Sequence, residues 1–381
     1  MTEAEWLTGR DAEAMLARVG DRLSDRQWHL LACAVGRRVW DVIPEGELRD
    51  TLAWCERHAG EVPADAPGLA ARQAAARAAA PEQARAAQYA IVRAADPDAD
   101  PDSFVHTDAR KVNAAVPLFQ AASRYAGLSV EQAGEAALHA AGVVSLLAEL
   151  PPGDEQLDGV RRCVVEASRI RTAASLHAAA ALKLMAAGDT AADLDNGKNV
   201  NVRYAASLEK VTKEEESLAV KVGDLEEAKQ RADRKAVARY LLDIAGNPFK
   251  PYRLLPEWRT EAVVALATAI DEGRGYDKMP ALADALLDAD CDEEAVLRHC
   301  RGTEAHTPDG PAHTRGCWVL DLILNREPAY VAAPPLVPPP PPPPVTARPP
   351  AGRAPSSGMD RLLRALQAAD DEDDDDKPPT L

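Results

Sequence analysis

Residues 291–324 read CDEEAVLRHCRGTEAHTPDGPAHTRGCWVLDLIL. Asp292 stands as an N-cap, with Glu293 and Glu294 in the first turn, where the helix dipole favours acids. Ala295, Val296 and Leu297 continue the helix. His299, Cys300 and Arg301 close it, and Gly302 is a stop signal. A polar loop follows, and Thr314-Arg315-Gly316 leads into the apolar run Cys317–Leu324, which reads as a buried helix. This stretch holds three of the six cysteines and three of the eight histidines in the 381-residue chain. Helix, loop, helix is also the reading of everything before it, so the expected fold is all-α: an irregular helical bundle or array.

The same stretch carries the polar cluster with the most chemistry. His313 and Cys317 are four apart, so a helix beginning near Thr314 would put them on one face. With Cys300 brought across the loop and His299 or His306 as a fourth donor, they make a set for zinc, which takes four N or S ligands at about 2.0–2.3 Å. Cys291 stands before the helix that His299 ends, about 12 Å away at 1.5 Å per residue, too far to share the ion. The competing reading makes Cys291, Cys300 and Cys317 small buried hydrophobes, with His313 capping the helix start. The chain has no CxxC pair, and Ala305-His306-Thr307 returns as Ala312-His313-Thr314, so one histidine is a duplicate.

Composition supports helices over sheets. The apolar fraction is 46% but aromatics are only 4%, so the core is built chiefly from Ala, Leu and Val. Small side chains suit close-packed helices, and no strand-like alternation of Val, Ile, Thr and Tyr is present. The net charge is −17, a large part of it from Asp370 to Asp376. Basic runs are single pairs such as Arg37-Arg38 and Arg161-Arg162, which argues against nucleic acid as a partner. No apolar run reaches the length of a membrane span. The start is acidic and lacks a signal sequence, and scattered cysteines fit reduced thiols in a cytoplasm.

Along the chain, five regions are expected. Residues 1–60 form short helices: Asp11 caps one, and Ser24-Asp25 opens another. The second has Trp28, Leu31, Ala32, Val35, Val39 and Val42 at helical spacing. Pro44 ends it, and Glu47–His58 follows with Leu48, Leu52 and Cys55 inward. His29 and His58 read as helix-surface residues. Residues 61–202 are Ala-rich, with helices at 70–80 and 82–95 split by Pro81. The acidic loop 96–102 lacks the Gly and terminal Glu of a calcium loop. Ser129, with Gln132 three residues on, reads as an N-cap. The Ala- and Gly-rich helix to Leu147 demands a closely packed neighbour, and Pro151-Pro152-Gly153 breaks it. His139 and His177 stand alone. Residues 203–245 read as one long helix, whose Leu208, Val211, Leu218, Val222, Leu225 and Ala232 follow a 3.5-residue repeat. Packing of that helix on the chain's own body is favoured over a coiled coil. Gly246 ends it, and residues 246–328 form a C-terminal helical module containing the Cys/His cluster.

Asn247-Pro248-Phe249-Lys250-Pro251, Trp258, Leu282-Ala283-Asp284-Ala285-Leu286, Asp290-Cys291 and Arg315-Gly316-Cys317-Trp318 together resemble a helical module that recurs in large proteins of high-GC bacteria, planctomycetes among them. The opening Met1–Leu7, Ser24-Asp25-Arg26, Ala32-Cys33-Ala34 and Arg37-Arg38-Val39-Trp40 are similar to the start of the same family. The family often has a second Cys where Val35-Gly36 stands here, and a shorter loop before Arg-Gly-Cys-Trp. The resemblance covers the first 60 residues and 245–326. It implies a helical fold and a bacterial origin, and no activity.

Residues 329–381 change character. Seven consecutive prolines, Pro338 to Pro344, sit in a stiff linker of polyproline type. At about 3.1 Å per residue it spans on the order of 60 Å. Beyond it, Met359, Leu362, Leu363 and Leu366 form an i, i+3, i+4, i+7 stripe. That segment is too short to hold a helix alone in water. It is expected to be disordered until it folds in the groove of a partner protein. No catalytic motif is legible and no reaction is inferable. The expected function is therefore an interaction adaptor with a tethered C-terminal docking peptide, the alternative being a zinc-binding domain or zinc-dependent enzyme built on residues 299–317.

Overall fold

The computed structural model describes residues 1–43, 45–59, 115–193, 200–250, 252, 254–302 and 313–326. All lie within one compact unit, Met1–Ala332. Among the described residues there are helices and turns and no strand. The expected helices at 70–80 and 82–95, the linker and the C-terminal peptide lie outside these residues. No described helix is long and apolar enough to cross a membrane.

The centre is a hairpin of two long helices, α5 (Val116–Glu149) and α6 (Asp154–Asp193). Their antiparallel register is set by small residues. An added Cβ at Gly142 would lie 3.4 Å from Cys163 Sγ, at Gly159 3.2 Å from Leu146, and at Gly188 2.8 Å from Phe119. Ala133, Ala136, Ala137 and Ala140 on α5 and Ala167, Ala173 and Ala174 on α6 are buried. The sequence demand for a close neighbour is met by the chain's own next helix. Gln156 of α6 donates to the carbonyls of Leu146, Leu147 and Leu150 at 3.4, 3.3 and 2.8 Å. These carbonyls lie at the C-terminal end of α5, where helical donors run out; Leu146 O also accepts from Leu150 N–H at 3.1 Å.

Ser129 departs from its expected place. It lies inside α5 rather than before a helix, and its hydroxyl donates to Ala174 O at 2.8 Å. With an acceptor across the hairpin, the hydroxyl no longer competes for its own backbone. The expected single helix over 203–245 also divides. α7 (Val200–Gly223) and α8 (Leu225–Ala245) meet at a turn at Asp224. Of the heptad positions, Leu218 is buried and Val211 partly buried against α5 and α6, while Leu208 is exposed. The helix packs on its own body.

Around the inner half of the hairpin sit α1 (Glu3–Thr8), α2 (Ala12–Val19), α3 (Asp25–Gly36), α4 (Glu47–Arg57) and α8. Local side-chain caps start the first three. Thr2 and Glu5 make a capping box on α1, Asp11 caps α2, and Ser24 and Gln27 make a second box on α3. Trp6, Leu30, Leu31, Leu48, Leu52, Leu147, Leu157 and Leu241 fill the shared core. The C-terminal module has its own core, formed by α9 (Glu261–Gly273), α10 (Met279–Asp288), α11 (Glu294–Arg301) and α12 (Trp318–Leu324). Trp6 Nε1 donates to Gly246 O at 2.9 Å across 240 residues of sequence. Asn247 Nδ2 donates to Glu3 at 2.7 Å, and Arg26 Nη2 to Asp321 at 2.9 Å. Arg274 donates to Glu56 at 2.7 Å. These contacts seat the module on the N-terminal helices.

His29 corrects its surface assignment. It is 6% exposed, and its Nε2 has no partner. Burial pushes its imidazole down to about 4, with the charge of Glu56 opposing. An unfolded histidine titrates near 6.5, so between those values the unfolded chain binds the extra proton. Stability should therefore fall as pH drops from 6.5 towards 4, by about 3 kcal/mol from this residue. Urea unfolding of wild type and His29→Leu across that range should give a visibly flatter pH profile for the variant; parallel profiles would contradict the assignment.

Candidate metal centre

Asp243 lies in the last full turn of α8, an end of the helix where the dipole disfavours an acid. It is also only 5% exposed. Such a carboxylate must be compensated by its neighbours, and three donors converge on it. Thr314 N–H donates to Oδ2 at 2.7 Å. His313 Nδ1 is 2.9 Å and His299 Nε2 3.2 Å from Oδ1. Burial alone would raise the Asp243 pKa. The charge of His313 and the hydrogen bonds of both imidazoles outweigh it and hold the carboxyl well below the usual carboxylate range. In turn, Asp243 overcomes the burial of His313 and lifts that imidazole to about 9, aided by Cys317.

Cys317 completes the group. Its Sγ lies 3.2 Å from His299 Nε2 and 3.9 Å from His313 Nδ1. The four donor atoms of Asp243, His299, His313 and Cys317 all fall within 4.8 Å of one another. Around a tetrahedral zinc ion with bonds of 2.0–2.3 Å, neighbouring donors stand about 3.3–3.6 Å apart. The observed spacings of 2.9, 3.2, 3.2 and 3.9 Å lie a few tenths of an ångström from that shape, and the whole set closes within 4.8 Å. The chemistry also fits: two imidazoles, a carboxylate and a sulfur suit a borderline divalent ion better than a hard one such as magnesium or calcium.

His313 and Cys317 come together for a different reason than helical spacing. α12 begins only at Trp318, and residues 313–317 form a turn closed by Cys317 N–H to Thr314 O at 3.1 Å. Gly316 makes the turn possible. Its φ is +88°, and its Cα passes so near α3 that a Cβ would meet Leu30 Cδ1 at 2.6 Å. Arg315 reaches out of the turn to the carbonyl of Asp271 at 2.7 Å, on α9. On α11 the N-cap is Glu293 rather than Asp292, and His299 lies in the last turn.

Of the residues expected as ligands, His299, His313 and Cys317 join the cluster. Cys300 does not belong to it. One residue on from His299, it is turned about 100° round the helix and is buried in the module's apolar core with Cys291, Val296 and Leu297. His306 falls within residues 303–312, outside the described part of the chain. The same holds for Met359, Leu362, Leu363 and Leu366. Asp243 is the residue that sequence reasoning passed over. Its signal was an acid inside the apolar end of a helix, just before Gly246-Asn247-Pro248. Comparison with protein-family models, with curated proteins and with solved structures finds no match.

The turn supplies a direct check of this geometry. Gly316→Ala places a side chain at positive φ and against Leu30, so unfolding free energy should drop by about 2–4 kcal/mol. Denaturant unfolding measures it; a change under 0.5 kcal/mol would show that the turn is not built this way.

Proposed function

We propose that this protein is a helical interaction scaffold whose C-terminal module is locked to the body by one zinc ion. Asp243, His299, His313 and Cys317 would hold the ion. The observation that carries the reading is the convergence of four buried donors from three separate places: the end of α8, the end of α11 and the turn before α12. Four protein ligands complete a tetrahedral shell, which is the pattern of structural rather than catalytic zinc. An ion bound only by the folded arrangement adds its binding free energy to folding. The element it would fasten is the segment 313–317, which lies outside any helix.

Protein purified without chelator should carry about one zinc per chain. Chelation should lower its melting temperature by several degrees, reversibly. Asp243→Asn and Cys317→Ser should each abolish stoichiometric zinc, whereas Cys300→Ser should retain it. Protein without zinc, and with unchanged melting when zinc is added, would reject the centre.

The interaction role rests on the chain after Glu327. A stiff proline linker would keep the stripe Met359, Leu362, Leu363 and Leu366 close to whatever the body binds and raise its local concentration there. Asp370 to Asp376 would seek a basic surface on that partner, making association weaken with salt. Replacing Leu362, Leu363 and Leu366 with Ser should weaken partner capture at least tenfold while leaving melting unchanged. Capture that is indifferent to those substitutions would show that the segment is only a tail.

A further inference from the structure

The side of α7 that packs on the body carries Ser207, Glu214 and Leu218, all buried, and Val211, partly buried. A second ladder runs along the far side of the same helix. Val202, Ala206, Glu209, Lys213, Glu216 and Val220 are spaced 4, 3, 4, 3 and 4 residues apart. That is the spacing of the a and d positions in a coiled-coil seam. At about 100° per residue, all six fall within about 40° of one direction. All six are exposed. Val202 and Val220, at 69% and 67%, are the most exposed large apolar side chains among the described residues.

The ladder is complementary to itself run backwards. When two copies of α7 lie antiparallel about a two-fold axis near Val211, Val202 meets Val220 of the second copy, Ala206 meets Glu216, and Glu209 meets Lys213. Within one chain Lys213 Nζ already lies 2.6 Å from Glu209. Two such pairs closing on the axis make a ring of four alternating charges, and valines close the seam at both ends. Run parallel, the same ladder sets Glu209, Lys213 and Glu216 each against its own copy, where like charges repel. One rim favours close approach: Ala205, Thr212 and Ala219 are small and exposed, and recur every seventh residue beside the seam. On the other rim Lys210 faces its copy in open solvent, where salt screens the repulsion.

We propose that the outer face of α7 is a dimerisation seam, on which the ladder from Val202 to Val220 pairs antiparallel with the same ladder of a second copy of this chain. A patch that complements itself is what a two-fold dimer requires. Charged layers at the centre of a seam fix its register and orientation at a cost in stability. The dimer is therefore a weak, reversible one, held in register by Glu209 and Lys213 and closed by four valines. It uses neither the metal centre nor the chain after Glu327, so it stands or falls apart from them.

Sedimentation equilibrium of the full chain should show its mass rising from one chain to two between about 10 µM and 1 mM, the range of small transient interfaces. A single-chain mass throughout would overturn the seam. Glu209→Lys should raise the dimer dissociation constant about tenfold or more, because Lys–Lys contacts replace both ion pairs across the axis. Adding Lys213→Glu to that variant should restore association to within about threefold of wild type. A dimer indifferent to Glu209→Lys, or one that the double variant leaves weakened, would overturn the pairing. Orientation is read by cross-linking under oxidised glutathione. A mixture of Val202→Cys chains with Val220→Cys chains should form a covalent dimer. Neither should do so alone, since antiparallel helices hold the two copies of position 202 about 27 Å apart at 1.5 Å per residue. Cross-linking by either variant alone, or none in the mixture, would overturn the antiparallel register. The substituted side chains are all exposed, so the variants keep the fold.

Discussion

A carboxylate buried at the wrong end of a helix has to be compensated, and the Asp243 side chain organises the C-terminal module around that requirement. Removing a charge from water costs several kcal/mol unless partners replace the lost solvation. Here the partners come from one backbone amide and two imidazoles, all supplied by residues far along the chain. Satisfying Asp243 therefore means bringing the end of α11 and the 313–317 turn to the end of α8. The turn can arrive only because Gly316 lets its backbone lie directly on Leu30. A polar requirement and a steric one thus converge on the same five residues.

The same device recurs where the module meets the body. Glu56 is buried between Arg37 just beyond α3 and Arg274 just beyond α9. Within the body itself, Asp233 of α8 lies between Arg38 and Arg161. Asp321 of α12 receives both terminal nitrogens of Arg26. Burial still pushes the Asp321 carboxyl up, with Arg26 pulling the other way, so this pair offsets its own desolvation only in part. Such pairs add little net stability compared with apolar substitutes, yet removing one partner strands a buried charge. Their effect is to make one seating of the module much better than its neighbours, while the apolar cores supply the driving force.

The α5–α6 hairpin works by a simpler rule. Glycine and alanine along both helices let their backbones approach closely, so dispersion contacts replace large side chains. Where rings do enter the seam they sit beside small residues or stack flat: Phe119 lies on Gly188, and Tyr125 stacks on His177 with centroids 5.7 Å apart.

The sequence alone determined the helical class and most local boundaries. Asp11, Ser24 with Gln27, the Pro151-Pro152-Gly153 break and Gly246 act within one turn of themselves, so neighbours in sequence suffice to read them. It also singled out His299, His313 and Cys317, because unusual side chains crowd one short stretch. Tertiary structure decided the remainder. Ser129 stayed inside a helix because its hydroxyl meets Ala174, 45 residues away. His29 was buried by helices that its own periodicity does not mention. Cys300 turned into the apolar core while Asp243, 56 residues before His299, entered the polar cluster. No local pattern encodes which distant donor completes a set, since that depends on how the chain closes in space around a charge it cannot leave unpaired.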